Sequence, residues 1–110
     1  MDTNENYTNQ DNDYYVYILK CSDGTLYTGM TNDPVHRLKV HNQGLGSKYT
    51  RVRRPVSFVY IESGLSKSDA LKRERNIKKM TRQGKLKLIE DKDLNEIDAF
   101  LNKYLNKCSI

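Results

Sequence analysis

The chain has 110 residues, 36% hydrophobic and 30% charged, enough for one domain around a modest core. No apolar run approaches the ~20 residues that span a bilayer, and no basic-then-apolar leader opens the chain, so the expectation is a soluble cytoplasmic protein. The net charge of +5 is unevenly spread: residues 1–13 hold four acids and no Lys or Arg, while residues 14–89 hold sixteen Lys and Arg against five Asp and Glu. Such a domain suits a polyanion, most often nucleic acid, although a basic face that only keeps the protein in solution explains the composition equally well. Cys21 and Cys108 lie in no metal-ligating spacing, so a zinc site is not expected; they read as two reduced thiols, with one disulfide as the alternative.

In chain order, residues 1–13 are acidic and Asn-rich and are expected to be a disordered tail. Residues 14–19 form an apolar, β-prone run, and Asp23-Gly24 marks a hairpin turn, because glycine tolerates the positive φ that tight turns need. A second short strand follows over residues 26–30. Asn32-Asp33-Pro34 then starts a helix, with a side-chain cap and a proline where its missing N–H is harmless. This helix carries Arg37, Leu38 and His41 and ends near Gly44. Arg37 and His41 are four residues apart and share a helix face. The segment LGSKYTRVRRP reads as a basic loop, with Lys48, Arg51, Arg53 and Arg54 as candidate phosphate contacts or as solvated charge. Residues 56–61 are β-branched and aromatic and predict a third strand.

Ser66-x-x-Asp69 opens a second long helix over residues 66–82. On its wheel Ala70, Leu71, Ile77 and Met80 form an apolar side that encloses Glu74, while Arg75, Lys79 and Arg82 crowd a neighbouring face. A carboxylate facing inward is costly unless it is paired, hydrogen-bonded or bound to metal, so Glu74 is either a structural ion pair, with Arg37 for example, or a ligand. Gly84 is expected to end the helix, and residues 85–89 to form a short amphipathic piece over the sheet. Asp93-x-x-Glu96 caps a terminal helix within residues 90–110, whose stripe of Leu94, Ile97, Leu101, Tyr104 and Leu105 packs on the domain or on a partner.

The stretch from Tyr15 to Gly44 resembles the GIY-YIG nuclease family. The two halves of that signature read here as Tyr15-Val16-Tyr17 and Tyr27-Thr28-Gly29, and Arg37 and His41 match the family's Arg and His on the following helix. Ala70-x-x-x-Glu74 lies where the family carries a metal-binding Glu. The stretches VYILKCSDGTLYTGMTND and RLKVHNQG look most like the small single-domain members, distant relatives of the nuclease module of excinuclease. Tyr15 replaces the first glycine of the signature, Met30 stands where some relatives have Lys, and no Asn matches the one that larger members carry downstream of the Glu.

The resemblance implies an α/β (α+β) fold over residues 14–89, with a small three-stranded, mainly antiparallel sheet flanked by helices. It implies a metal-dependent endonuclease that hydrolyses DNA phosphodiester bonds, with branched or damaged DNA of the kind met in repair among its substrates. One Mg²⁺ or Mn²⁺ ion would sit on Glu74, a hard cation on a hard ligand. Arg37 would contact the phosphate in bidentate fashion, and Tyr17, Tyr27 or His41 would position or deprotonate the attacking water. A tyrosine acting as base would need its pKa lowered by nearby cations. Lys48, Arg51, Arg53, Arg54, Arg75 and Lys79 would hold the nucleic acid, and a protein partner could supply targeting. The alternative is a nucleic-acid-binding module that keeps this fold with little or no cleavage. The family reading also sets a geometric condition. A two-residue turn at Asp23-Gly24 would put Tyr17 and Tyr27 on opposite sheet faces, so convergence requires an odd-length loop or a bulge between Cys21 and Leu26.

Overall fold

The computed structural model describes residues 12–92, so the expectations for the acidic tail before Asn12 and for the terminal helix from Asp93 onward lie outside the described residues. Strands β1 (Tyr14–Lys20), β2 (Leu26–Thr31) and β3 (Ser57–Leu65) form one antiparallel sheet in the order β2-β1-β3. Helices α1 (Pro34–Asn42) and α2 (Lys48–Arg51) lie between β2 and β3, and α3 (Lys67–Lys78) and α4 (Arg82–Asp91) follow β3. The expected three-stranded antiparallel α+β fold is the one found.

β1 is the central strand, and Val16, Tyr17, Ile18 and Leu19 are all buried, so both faces of the sheet are covered. The odd-numbered face packs Tyr17, Leu19 and Cys21 with Val56, Phe58 and Ile61, and it takes in Tyr27, Leu38 and Tyr49 at its margin. The even-numbered face packs Val16 and Ile18 with Tyr60, Ala70 and Ile77, closed by Met80, Leu88 and Ile89. Full burial of Ile18, Leu19 and Ile77, at about 1.5–3 kcal/mol each, makes this double contact the main source of stability.

The helix starts follow the expected chemistry. Asp33 caps α1 by accepting from the His36 N–H, and Ser66 caps α3 by accepting from the Asp69 N–H. Gly44, at φ 85°, takes the left-handed conformation that closes α1. Other expectations are corrected. The long helix stops at Lys78, not Arg82, because Thr81 caps a new helix by accepting from the Gly84 N–H. Gly84 therefore lies in the first turn of α4, a continuous ten-residue helix over Arg82–Asp91, and does not end a helix. The segment read as a basic loop contains the helical turn α2, capped by Ser47 through the Thr50 N–H. Leu71 is 43% exposed and does not share the inward side of α3 with Ala70 and Ile77.

Candidate active site

The hairpin decides whether the two signature tyrosines meet. Cys21 and Gly24 close the turn, with the Cys21 N–H donating to Thr25 O at 2.9 Å and the Gly24 N–H donating to Cys21 O at 2.9 Å. The loop proper is Ser22-Asp23-Gly24, with Gly24 at φ 85°. Tyr17 pairs with Gly29 and Leu19 with Tyr27, so both tyrosines lie on the odd-numbered face. This odd-length loop is the one that convergence requires.

α1 lies over that face and brings His41 to the tyrosines. Tyr17 Oη is 3.0 Å from His41 Nε2, and the Tyr27 ring meets the imidazole edge-on with centroids 5.3 Å apart. His41 Nδ1 is 2.9 Å from Thr50 Oγ1, so both ring nitrogens are engaged inside a site where the residue is only 1% exposed. Two glycines make room for this contact. A Cβ on Gly29 would collide with the Tyr17 hydroxyl, and one on Gly46 with the His41 ring. The glycine of Tyr27-Thr28-Gly29 is thus explained by what lies on top of it.

Arg37 sits one turn before His41. Its Nε is buried and meets no acceptor among the described residues, yet its charge acts on both Tyr17 and His41. A buried N–H without an acceptor is uncommon, and here it belongs to a guanidinium that forms no ion pair among the described residues and lies beside two functional candidates. Burial, with Arg37 adding to it, holds His41 below the ordinary imidazole value, so the ring is neutral. Burial also pushes the Tyr17 hydroxyl well above its ordinary value. Tyr27 and Glu74 push the same way, and Arg37 offsets them only in part. At Tyr17, then, desolvation outweighs Arg37, and a lowered tyrosine would need a metal cation beside Arg37.

α3 packs against β2 and β1 and carries Glu74 to the same corner, close enough for its charge to act on Tyr17. Glu74 pairs not with Arg37 but with Lys78, one turn on, at 3.4 Å. Its side chain is 20% exposed, so the carboxylate is neither sealed in the core nor fully solvated. No group of three or more His, Cys, Asp and Glu side chains converges among the described residues. One accessible carboxylate beside hydroxyls fits a single hard dication that keeps most of its waters, and does not fit a zinc-type site.

The expected nucleic-acid contacts divide into two groups. Lys48, Arg51, Arg75 and Lys79 are exposed. Arg53 and Arg54 are tied to the protein. Arg53 pairs with Asp23 at 3.1 Å, donates to Tyr49 O at 2.9 Å and lies 3.8 Å above the Tyr49 ring, and Arg54 donates to Arg51 O and Asn42 O. Asp23, held below the ordinary carboxylate range mainly by Thr25, thereby links the hairpin tip to α2. The sequence pattern missed a cleft of about 280 Å³ beside Tyr27, lined by Leu26, Thr28, Tyr49, Lys78 and Lys85. A second cleft of about 200 Å³ shares Leu26, Tyr49 and Lys85 with it and adds Arg82. Among the described residues, Lys78, Lys85 and Arg82 line the joined groove and no carboxylate does, though Lys78 also pairs with Glu74. The wheel placed Arg82 on a basic face with Arg75 and Lys79, but it did not join Arg82 to Lys78 and Lys85, because the three come from the end of one helix and the start of the next.

Paired strand tyrosines opposite an Arg and a His on the first helix make up the framework by which the GIY-YIG nucleases are known. The chain belongs to that family: the model of the GIY-YIG catalytic domain matches residues 13–87. More narrowly, it is similar to small UPF0213 proteins. UPF0213 protein SAV0488 of Staphylococcus aureus strain Mu50 and UPF0213 protein MW0443 of strain MW2 are each 57% identical to it over 79 residues, covering 72% of this chain and 96% of the relative. Among solved structures, the solution NMR structure of EF2693 from E. faecalis is 39% identical, covers 73% of this chain and 88% of its own, and superposes with a TM-score of 0.51. That of the UPF0213 protein BH0048 from Bacillus halodurans is 43% identical over 70% of this chain and 82% of its own, with a TM-score of 0.47. No helix among the described residues is long and apolar enough to cross a membrane.

Proposed function

We propose that the chain is a cytoplasmic, metal-dependent endonuclease that hydrolyses DNA phosphodiester bonds at the corner formed by Tyr17, Tyr27, Arg37, His41 and Glu74. The observation that carries this reading is Arg37, a guanidinium with its Nε buried and no acceptor among the described residues, next to the hydrogen-bonded Tyr17–His41 pair. A cation with no ion pair among the described residues, beside neutral hydrogen-bonding groups, suits an incoming anion, and a phosphodiester would supply an acceptor for the Nε of Arg37. The joined groove of Lys78, Lys85 and Arg82 offers the flanking phosphates a path away from that point.

Arg37 holds the scissile phosphate and stabilises the charge that builds on it. Tyr17, kept protonated by its burial, orients rather than abstracts. His41, kept neutral, can accept a hydrogen bond through Nε2. Tyr27 is only half-buried and borders the cleft, which favours it as the tyrosine that meets the attacking water. Glu74 would hold one Mg²⁺ or Mn²⁺ ion, which when bound neutralises the phosphate and the leaving oxygen. The lysine groove lies open at the surface, so specificity for branched or damaged DNA would come from strand geometry or from a partner protein.

The test is cleavage of supercoiled, single-stranded and branched DNA with Mg²⁺, Mn²⁺ or EDTA. Nicking that requires the metal is the expected result. Salt-sensitive binding without cleavage of any substrate would overturn the reading in favour of a binding module.

A further inference from the structure

The polar chain beneath the site has a direction. Tyr17 Oη contacts His41 Nε2 at 3.0 Å, and His41 Nδ1 contacts Thr50 Oγ1 at 2.9 Å. Thr50 Oγ1 in turn reaches Ser47 Oγ at 2.9 Å and the Ser47 carbonyl at 3.4 Å. A neutral imidazole carries one N–H, so one ring nitrogen donates and the other accepts. If the proton were on Nε2, it would donate to Tyr17 Oη. The Tyr17 O–H would then have no acceptor among the described residues, in a side chain that is 2% exposed. Leaving such a buried donor unmade costs its desolvation with no bond in return. With the proton on Nδ1 every donor is met. Tyr17 O–H donates to Nε2, Nδ1–H donates to Thr50 Oγ1, and Thr50 O–H donates to Ser47.

We propose that Thr50, which lies outside the signature, is a positioning residue whose hydroxyl fixes His41 as the Nδ1–H tautomer. His41 Nε2 then accepts the Tyr17 O–H, and the bond holds the Tyr17 ring against its neighbours, among them half-buried Tyr27 at the edge of the cleft, where the attacking water would be met. Only this last step rests on the nuclease reading; the tautomer does not. Thr50 is well built for the task. It is fully buried, its own N–H is held by Ser47 Oγ at the cap of α2, and Gly46 leaves the space that the imidazole fills. The helical turn of α2, which the basic composition of its segment hides, thereby acquires a role at the site. Fixing a functional histidine through its far nitrogen is a recurrent device, because that bond decides what the near nitrogen can do.

The tautomer is read directly from proton–nitrogen NMR spectra of the ¹⁵N-labelled wild-type protein at neutral pH, with exposed His36 as the internal comparison. The expected result is an Nδ1–H signal for His41 and an unprotonated Nε2. An Nε2–H signal would overturn the proposal without any variant being made. In parallel, Thr50→Val and Thr50→Ser are assayed for metal-dependent cleavage and for DNA binding in EDTA. Thr50→Val should cleave roughly tenfold or more slowly, the order of loss when a histidine's orienting partner is removed, with binding unchanged and with Thr50→Ser restoring the rate. Full-rate cleavage by Thr50→Val would overturn the positioning role. A wild-type protein that shows the Nδ1–H signal but cleaves nothing would sink the nuclease reading and uphold the tautomer.

Discussion

Single residues at this site are constrained by neighbours that sequence alone does not show. Gly29→Ala would drive a methyl group into the Tyr17 hydroxyl, and β2 has little freedom to retreat because it is bonded to β1 along its length. A loss of about 1–3 kcal/mol is expected, the usual cost of overpacking, measurable as a lower urea midpoint. His41 gives a signed pH dependence. Its folded-state value lies below the ordinary imidazole value, because the ring is buried and faces Arg37. Between those two values the unfolded chain binds a proton that the folded chain does not. Stability should therefore be full above the ordinary value, fall as the pH drops through this window, and level off below the folded-state value. Urea midpoints measured from neutral to mildly acid pH would reveal the fall, and His41→Gln should flatten that part of the profile. A wild-type profile with no fall across the window would contradict the burial argument.

At the scale of elements, two independent contacts hold the site together: α1 over the odd-numbered face of the sheet and α3 over the even-numbered face and the β2 edge. Ile77, fully buried, anchors α3 one turn from Glu74. Ile77→Ala should cost about 2–5 kcal/mol and loosen Glu74 together with the helix, so thermal unfolding and metal affinity should fall in parallel. Most elements were legible in the sequence, since β1, the caps at Asp33 and Ser66 and the apolar side of α3 all carry strong local signals. The errors arose where two signals compete. Gly84 reads as a helix stop, but the Thr81 cap turns it into part of a helix start. Ser47 caps a helical turn hidden among arginines. In the site, Tyr17, Tyr27, Arg37 and His41 were legible through the resemblance to the GIY-YIG signature, whose parts lie on one hairpin and one helix. Thr50, Gly46 and the groove that joins Lys78, Arg82 and Lys85 to Tyr27 and Tyr49 could not, because these roles arise only where segments distant in sequence meet.

Over the whole molecule, charge is sorted by location. Asp23, Glu62 and Asp91 are paired with Arg53, Arg73 and Lys87, while Lys85 and Arg82 meet no carboxylate among the described residues. The groove they share with Lys78 should therefore dominate the salt dependence of DNA binding. Lys85→Glu should weaken binding and lower the slope of log affinity against log salt by about one. The same change at Lys72, exposed on α3 and absent from the lining of either cleft, should do less. Equal effects from the two substitutions would mean that the basic surface acts diffusely.

The proposed chemistry stands or falls on Glu74, the carboxylate proposed to hold the metal, whose charge acts on Tyr17. The most direct test is the single-turnover cleavage rate of Glu74→Gln at saturating protein, with DNA binding measured on the same preparation. A fall of about a hundredfold, equivalent to losing about 3 kcal/mol of charge stabilisation, with binding essentially unchanged, is the predicted result. Cleavage at the wild-type rate would place the metal, and with it the active site, elsewhere on the molecule.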